Sequence, residues 1–136
     1  MGRYLGIDYG TVRIGLALTD PMKIISSGFK TIPGGAVEQV LELLRAVIKE
    51  NDVEKIILGY PEGLDGQKTA KTLEVESFAE KLKVLGLPID FWDESFTSVR
   101  AQNILKSMGK KTGHNKEKID EIAAALMLED YLRSCV

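Results

Sequence analysis

The sequence predicts an α/β fold: a mixed five-stranded sheet, three antiparallel strands and then two parallel ones, with helices on both faces. Two observations predict it. Apolar residues run in short blocks through residues 3–8, 12–19 and 24–32 with brief links between them, the pattern of an antiparallel meander. Beyond residue 36 the period changes, and helical stretches alternate with short apolar runs, as in parallel strands joined by crossovers. With 136 residues, 44% hydrophobic and 28% charged, the chain has a globular balance. That length suits one core, so a single domain over residues 1–136 is expected.

Strands one and two turn at Tyr9-Gly10-Thr11, and the third strand, Ile24 to Ile32, follows Asp20-Pro21. Val37, Val40, Leu41, Leu44, Val47 and Ile48 recur at helical spacing, giving an amphipathic helix from about Ala36 to Glu50. The β-branched run from Val53 to Gly59 is strand four, and Tyr60 to Gln67, with Pro61, Gly63 and Gly66, is a loop. A second helix carries Val75, Phe78, Ala79, Leu82 and Leu85 on one face and stops at Gly86-Leu87-Pro88. Strand five is Ile89 to Trp92. Thr97 suits the N-cap of a third helix, with Ala101, Ile104, Leu105 and Met108 inward and Gly109 as its end. Lys110 to Asn115 is a polar, basic loop, and Lys116 to Arg133 is the final helix. Right-handed crossovers make strands four and five parallel to strand one.

Composition narrows the function classes. A net charge of −2 argues against a protein that coats nucleic acid by bulk positive charge. One local basic stretch remains: Arg100, Lys106, Lys110, Lys111, Lys116 and Lys118 are opposed only by Glu117. No apolar run approaches the roughly 20 residues that span a bilayer, and the opening MGRYLGID lacks the layout of a signal peptide. A cytoplasmic protein without a membrane partner is expected. The lone Cys135 allows neither a disulfide nor a cysteine metal site within one chain.

In such sheets ligands gather outside the carboxyl ends of the parallel strands. Asp8 ends strand one, Asp93 and Glu94 lie just past strand five, and Asp120 sits in the first turn of the final helix. Ala123, Ala124 and Met127 share the helix face of Asp120, and Gly6 shares the strand face of Asp8, so small residues would let the two elements meet. Gathered carboxylates repel unless protonated, paired or metal-bound. Oxygen-only ligands suit Mg²⁺ or Mn²⁺, and two such ions are suited to phosphodiester cleavage. Taken singly, each acid also has an ordinary reading, as turn cap, solvated charge or helix N-terminal acid.

Four segments in order, GIDYGTVRIGLALTD, GYPEGLDG, FWDESFTS and KIDEIAAALMLEDYL, resemble the YqgF family, also called RuvX, over nearly the whole chain. That resemblance implies a compact RNase H-like fold, related to the Holliday-junction resolvase RuvC, and a nuclease that matures the 5′ end of pre-16S rRNA. It also implies a catalytic and metal-binding triad of Asp8, Glu94 and Asp120, a divalent metal cofactor, and structured RNA or branched DNA as substrate, with the ribosome as a further partner. Two positions depart from the family pattern. Ser95 stands where the family usually has Arg after the Asp-Glu pair, removing a phosphate contact, and Gly59-Tyr60-Pro61 replaces Gly-Leu-Pro.

Arg13, just after the first turn, is a candidate for holding a substrate phosphate. Arg100, Lys116 and Lys118 flank the acids and are the other substrate-binding candidates. His114, the only histidine, lies in the basic loop and reads first as a surface residue. Tyr60 and Trp92 suit base stacking or, more often, packing. Two competing functions stay open. Asp-x-Gly-Thr also opens the phosphate-binding turn of actin-like ATPases, which would need a second chain to complete a two-lobed site. A non-catalytic nucleic-acid-binding module is the other, although all three acids are present. A monomer or weak dimer is expected, and a monomer would favour RNA over a symmetric branched-DNA substrate.

Overall fold

A computed structural model of the protein describes residues 2–61, 68–93, 101, 103–104, 106–107 and 116–135. Its strands β1 (Arg3–Asp8), β2 (Arg13–Thr19), β3 (Ser26–Pro33), β4 (Val53–Tyr60) and β5 (Ile89–Asp93) form one sheet in the order β3-β2-β1-β4-β5. β2 pairs antiparallel with β1 and with β3, while β4 runs parallel to β1 and to β5. This is the expected mixed sheet, with β1 at its centre.

Three helices are described from end to end: α1 (Val37–Asn51), α2 (Ala70–Leu82) and α3 (Lys116–Ser134). Side chains alternate across the sheet. Leu5, Ile7, Ile14, Leu16, Ile56 and Leu58 bury one face against Val40, Leu44 and Val47 of α1 and Val75, Phe78 and Leu82 of α2. On the other face Ala17 and Ile57 pack against Ala124, Met127, Leu128 and Tyr131 of α3. Helices therefore cover both faces. Ala101, Asn103, Ile104, Lys106 and Ser107 are helical, within the stretch expected as the third helix, and Ala101 is buried with Ile119 and Ala123 of α3. The expected N-cap Thr97, the residues Leu105, Met108 and Gly109, and the loop 110–115 lie outside the described residues.

Two boundaries differ from expectation by more than one residue, for local reasons. Strand three was expected from Ile24 but begins at Ser26, because the Asp20 carboxylate accepts hydrogen bonds from the backbone N–H groups of Met22, Ile24 and Ile25. That side chain wraps the chain into a turn, with Lys23 at φ +60° and Ile24 and Ile25 exposed. The second helix ends at Leu82, and Leu85 sits in a 3₁₀ turn (Lys83–Leu85) closed by Gly86 at φ +77°. Leu85 still packs on the core.

Candidate active site

The site is built at the carboxyl end of β1. Asp8 stands opposite Gly15 in the β1–β2 register. Gly15 is the residue that admits α3: a Cβ there would lie 2.2 Å from the Asp120 carbonyl oxygen. Gly6 leaves room lower down, where a Cβ would come within 3.1 Å of Leu128, and Gly28 of β3 similarly faces Glu121. The Gly6 expectation thus holds, while Gly15, which seats Asp120, went unnoticed in the sequence because only its cross-strand position gives it meaning. Two β3 hydroxyls tether the helix: Thr31 donates to the Glu117 carbonyl at 2.7 Å and Ser26 to that of Ala125 at 2.9 Å.

Asp8 and Asp120 accordingly line one pocket of about 230 Å³, with Tyr9, Gly10, Thr11, Val12, Arg13 and Lys71 completing the described lining. Arg13 Nε donates to Asp120 Oδ2 at 2.8 Å, and both side chains are partly exposed, 34% and 22%. The structure therefore places Arg13 on a carboxylate at the site. Lys71, in the first turn of α2, is a lining cation that sequence reasoning missed; a lysine in a first helical turn is unremarkable until the fold brings it to this edge. A larger cavity of about 260 Å³ lies between α1 and α2, with Glu74 the one carboxylate among its described lining residues.

Packing fixes the surrounding frame. The Tyr9 ring stacks on Phe78 at 4.4 Å, anchoring the turn after Asp8 to α2. At the end of β4, buried Thr72 donates to the Pro61 carbonyl at 2.6 Å while also closing a capping box with Thr69. Tyr60 donates to Glu76 at 3.1 Å and Lys68 pairs with Glu76 at 3.0 Å, so both flanks of residues 62–67 are tied to α2. The Lys68 hydrogen bond holds the Glu76 carboxyl below the usual carboxylate range.

The other expected site residues fall as follows. Lys116 and Lys118 are exposed in the first turn of α3 and are not among the described lining residues, and Lys118 approaches Glu121 at 3.9 Å. Asp93 closes β5 beside Tyr60. Glu94, Ser95, Arg100, Gly63, Gly66 and His114 lie outside the described residues. Tyr60 meets Phe91 edge to face and Trp92 meets Tyr131 in the same way, so both rings are engaged in packing. Among the described lining residues the acidic groups are the carboxylates of Asp8 and Asp120, hard oxygen donors that fit Mg²⁺ or Mn²⁺. Among the described residues no three acids converge, so a third ligand would have to come from elsewhere.

Farther along α3, Tyr131 donates to Asp90, which also pairs with Lys55 at 2.7 Å. The Lys55 ammonium lies 5.6 Å from the Tyr4 ring centre and 5.4 Å from that of Tyr131. Lys55 and then Tyr131 hold the Asp90 carboxyl below its ordinary value. Burial and then the Asp90 hydrogen bond push the Tyr131 phenol up, and the Asp90 hydrogen bond raises the Lys55 ammonium. This cluster clamps the far end of the helix that carries Asp120.

Comparison with known proteins bears on the same architecture. The RuvX family model, described as "Holliday junction resolvase", matches residues 2–134. A relative from Phocaeicola vulgatus, named "Putative pre-16S rRNA nuclease", is 37% identical over 98% of this chain and 97% of its own. A Koribacter versatilis relative of the same name is also 37% identical, over 96% of this chain and 86% of its own. Among solved structures, RuvC of T. thermophilus in complex with a Holliday junction substrate superposes with a TM-score of 0.57 at 12% identity, covering 99% of this chain and 96% of that one. At that identity the likeness concerns the fold, which is RNase H-like as the family resemblance implied. Matched from its second residue almost to its last, and by relatives of nearly equal length, the chain belongs to the RuvX family.

Proposed function

We propose that this protein is a metal-dependent nuclease that hydrolyses phosphodiester bonds and processes the 5′ end of pre-16S rRNA in the cytoplasm. The observation that carries the reading is the pocket in which Asp8 and Asp120, from opposite ends of the chain, meet at the carboxyl end of the central strand. The names of the relatives supply the substrate class.

Asp8 and Asp120 would hold the cation, with Glu94 as third ligand. When bound, one or two Mg²⁺ or Mn²⁺ ions supply activation of the attacking water and stabilisation of the leaving oxygen. The chain's own residues do the rest. Gly15 and Thr31 hold the first turn of α3, and so the Asp120 carboxylate, against the sheet. Lys71 offers a positive charge to a phosphate at the pocket wall. Arg100, Lys116 and Lys118 would be further contacts to the nucleic-acid backbone. One domain over residues 1–136 carries this whole apparatus, acting as a monomer or weak dimer.

The test is cleavage of end-labelled rRNA precursor and of four-way-junction DNA in Mn²⁺ or Mg²⁺, with Asp8→Asn and Asp120→Asn purified in parallel. Metal-dependent cutting of the precursor is expected, falling at least about a hundredfold in either variant, since each loses several kcal/mol of charge stabilisation. Equal cutting by native protein and variants would sink the assignment. The description of the family favours a second reading, a branched-DNA resolvase. Selective cutting of the junction, together with a stable dimer, would establish it instead.

A further inference from the structure

The described lining of the pocket is balanced in formal charge. Two carboxylates, Asp8 and Asp120, and two cations, Arg13 and Lys71, stand in its described lining. Asp120 gives Oδ2 to Arg13 Nε at 2.8 Å. Among the described residues, that is the one side-chain hydrogen bond made by the Asp120 carboxylate and by the Arg13 guanidinium. The two partners differ in freedom. Asp120 is seated by backbone contact with Gly15 and by the Thr31 tether one turn earlier. Arg13 opens β2 with a long side chain that is one-third exposed, so the arginine is the partner able to swing.

A dication entering this pocket meets a guanidinium already hydrogen-bonded to one of its ligands, and like charges so close repel strongly in a partly buried setting. A phosphodiester reverses the balance, because it brings negative charge and offers the guanidinium two oxygens in the planar geometry that arginine prefers. We propose that Arg13 is an internal counter-charge: it holds Asp120 while nucleic acid is absent, keeps divalent-cation affinity low, and turns to an arriving phosphate so that cation and nucleic acid bind cooperatively. The inference rests on the nuclease reading and adds to it an order of assembly. By linkage, whatever factor the nucleic acid adds to cation affinity, the cation returns to nucleic-acid affinity.

The experiment is Mn²⁺ binding, read from the EPR signal of free Mn²⁺, for the native protein, Arg13→Gln, Arg13→Lys and Asp120→Asn. Each is measured alone and with a phosphorothioate-substituted RNA hairpin that resists cleavage. Without RNA, Arg13→Gln is expected to bind Mn²⁺ at least about tenfold more tightly than the native protein. Arg13→Lys keeps the charge and should remain weak, and it serves as the folded control if Arg13→Gln melts early. Added RNA should bring the native affinity up towards that of Arg13→Gln, and Asp120→Asn should lose the RNA-dependent gain. Equal or weaker Mn²⁺ binding by Arg13→Gln, or Arg13→Lys binding as tightly as Arg13→Gln, would overturn the proposal. If native protein and Arg13→Gln bind no Mn²⁺ with or without RNA, the metal-dependent reading falls as well. If Mn²⁺ binds and RNA is cut but Arg13→Gln is unchanged, only the counter-charge falls.

Discussion

At the scale of the single residue, the site depends on an atom that is missing. A methyl group on Gly15 would collide with the Asp120 carbonyl, the backbone of the very residue that supplies the second carboxylate. Gly15→Ala is therefore expected to cost about 1–3 kcal/mol through overpacking and to lower nuclease activity further than Gly28→Ala, whose Cβ would stand 3.3 Å from Glu121. Urea titration and cleavage assays on the two variants check both parts. The acids themselves were visible in the sequence because a carboxylate stands out at the end of an apolar strand, as Asp8 does, or ahead of an alanine-rich helix face, as Asp120 does. Gly15 and the Arg13–Asp120 pair were not visible. Their partners lie across a strand register and across 107 positions of sequence, and neither separation leaves a periodic trace.

At the scale of the element, hydrophobic period predicted which segments become strands and helices, and the right-handed crossover predicted that strands four and five run parallel to strand one. What it missed were ends decided by individual polar contacts. Asp20 draws three backbone N–H groups to itself and delays β3, although Ile24 and Ile25 read as strand residues. Thr72 is a comparable case at the start of α2. It is fully buried, donates to the Pro61 carbonyl and accepts from the Thr69 N–H, so one hydroxyl joins the end of β4 to the cap of the next helix. Thr72→Val keeps the shape and removes the hydroxyl, leaving a half-buried carbonyl without its donor. A loss of about 1–3 kcal/mol is expected, and hydrogen exchange should show faster opening in the first turn of α2 than in α1.

At the scale of the whole molecule, the Lys55–Asp90–Tyr131 cluster joins β4, β5 and α3, and its ionisation should shape stability against pH. The folded Asp90 carboxyl lies below its ordinary 3.8, so its contribution is present above that value and is lost as pH falls through the lower folded one. Lys55 and Tyr131 lie above their ordinary 10.5 and 10.0, so theirs are present below those values and lost as pH rises beyond them. Thermal melts across pH should show a plateau through neutrality with two falling limbs. Asp90→Asn should flatten the acid limb and Lys55→Met the alkaline one, and an unchanged profile in both would show that the cluster does not govern stability. The 107 positions between Arg13 and Asp120 also have a meaning in time. At about 5–20 residues per second of synthesis, Arg13 leaves the ribosomal tunnel about 5–20 s ahead of the carboxylate it will hold. For most of that interval the sheet itself is incomplete, since β5 ends only at Asp93, and until α3 follows one of its faces stays uncovered and the pocket lacks Asp120. With Asp120 in the role proposed above, a newborn copy is expected to leave the RNA around it uncut until its last helix is in place.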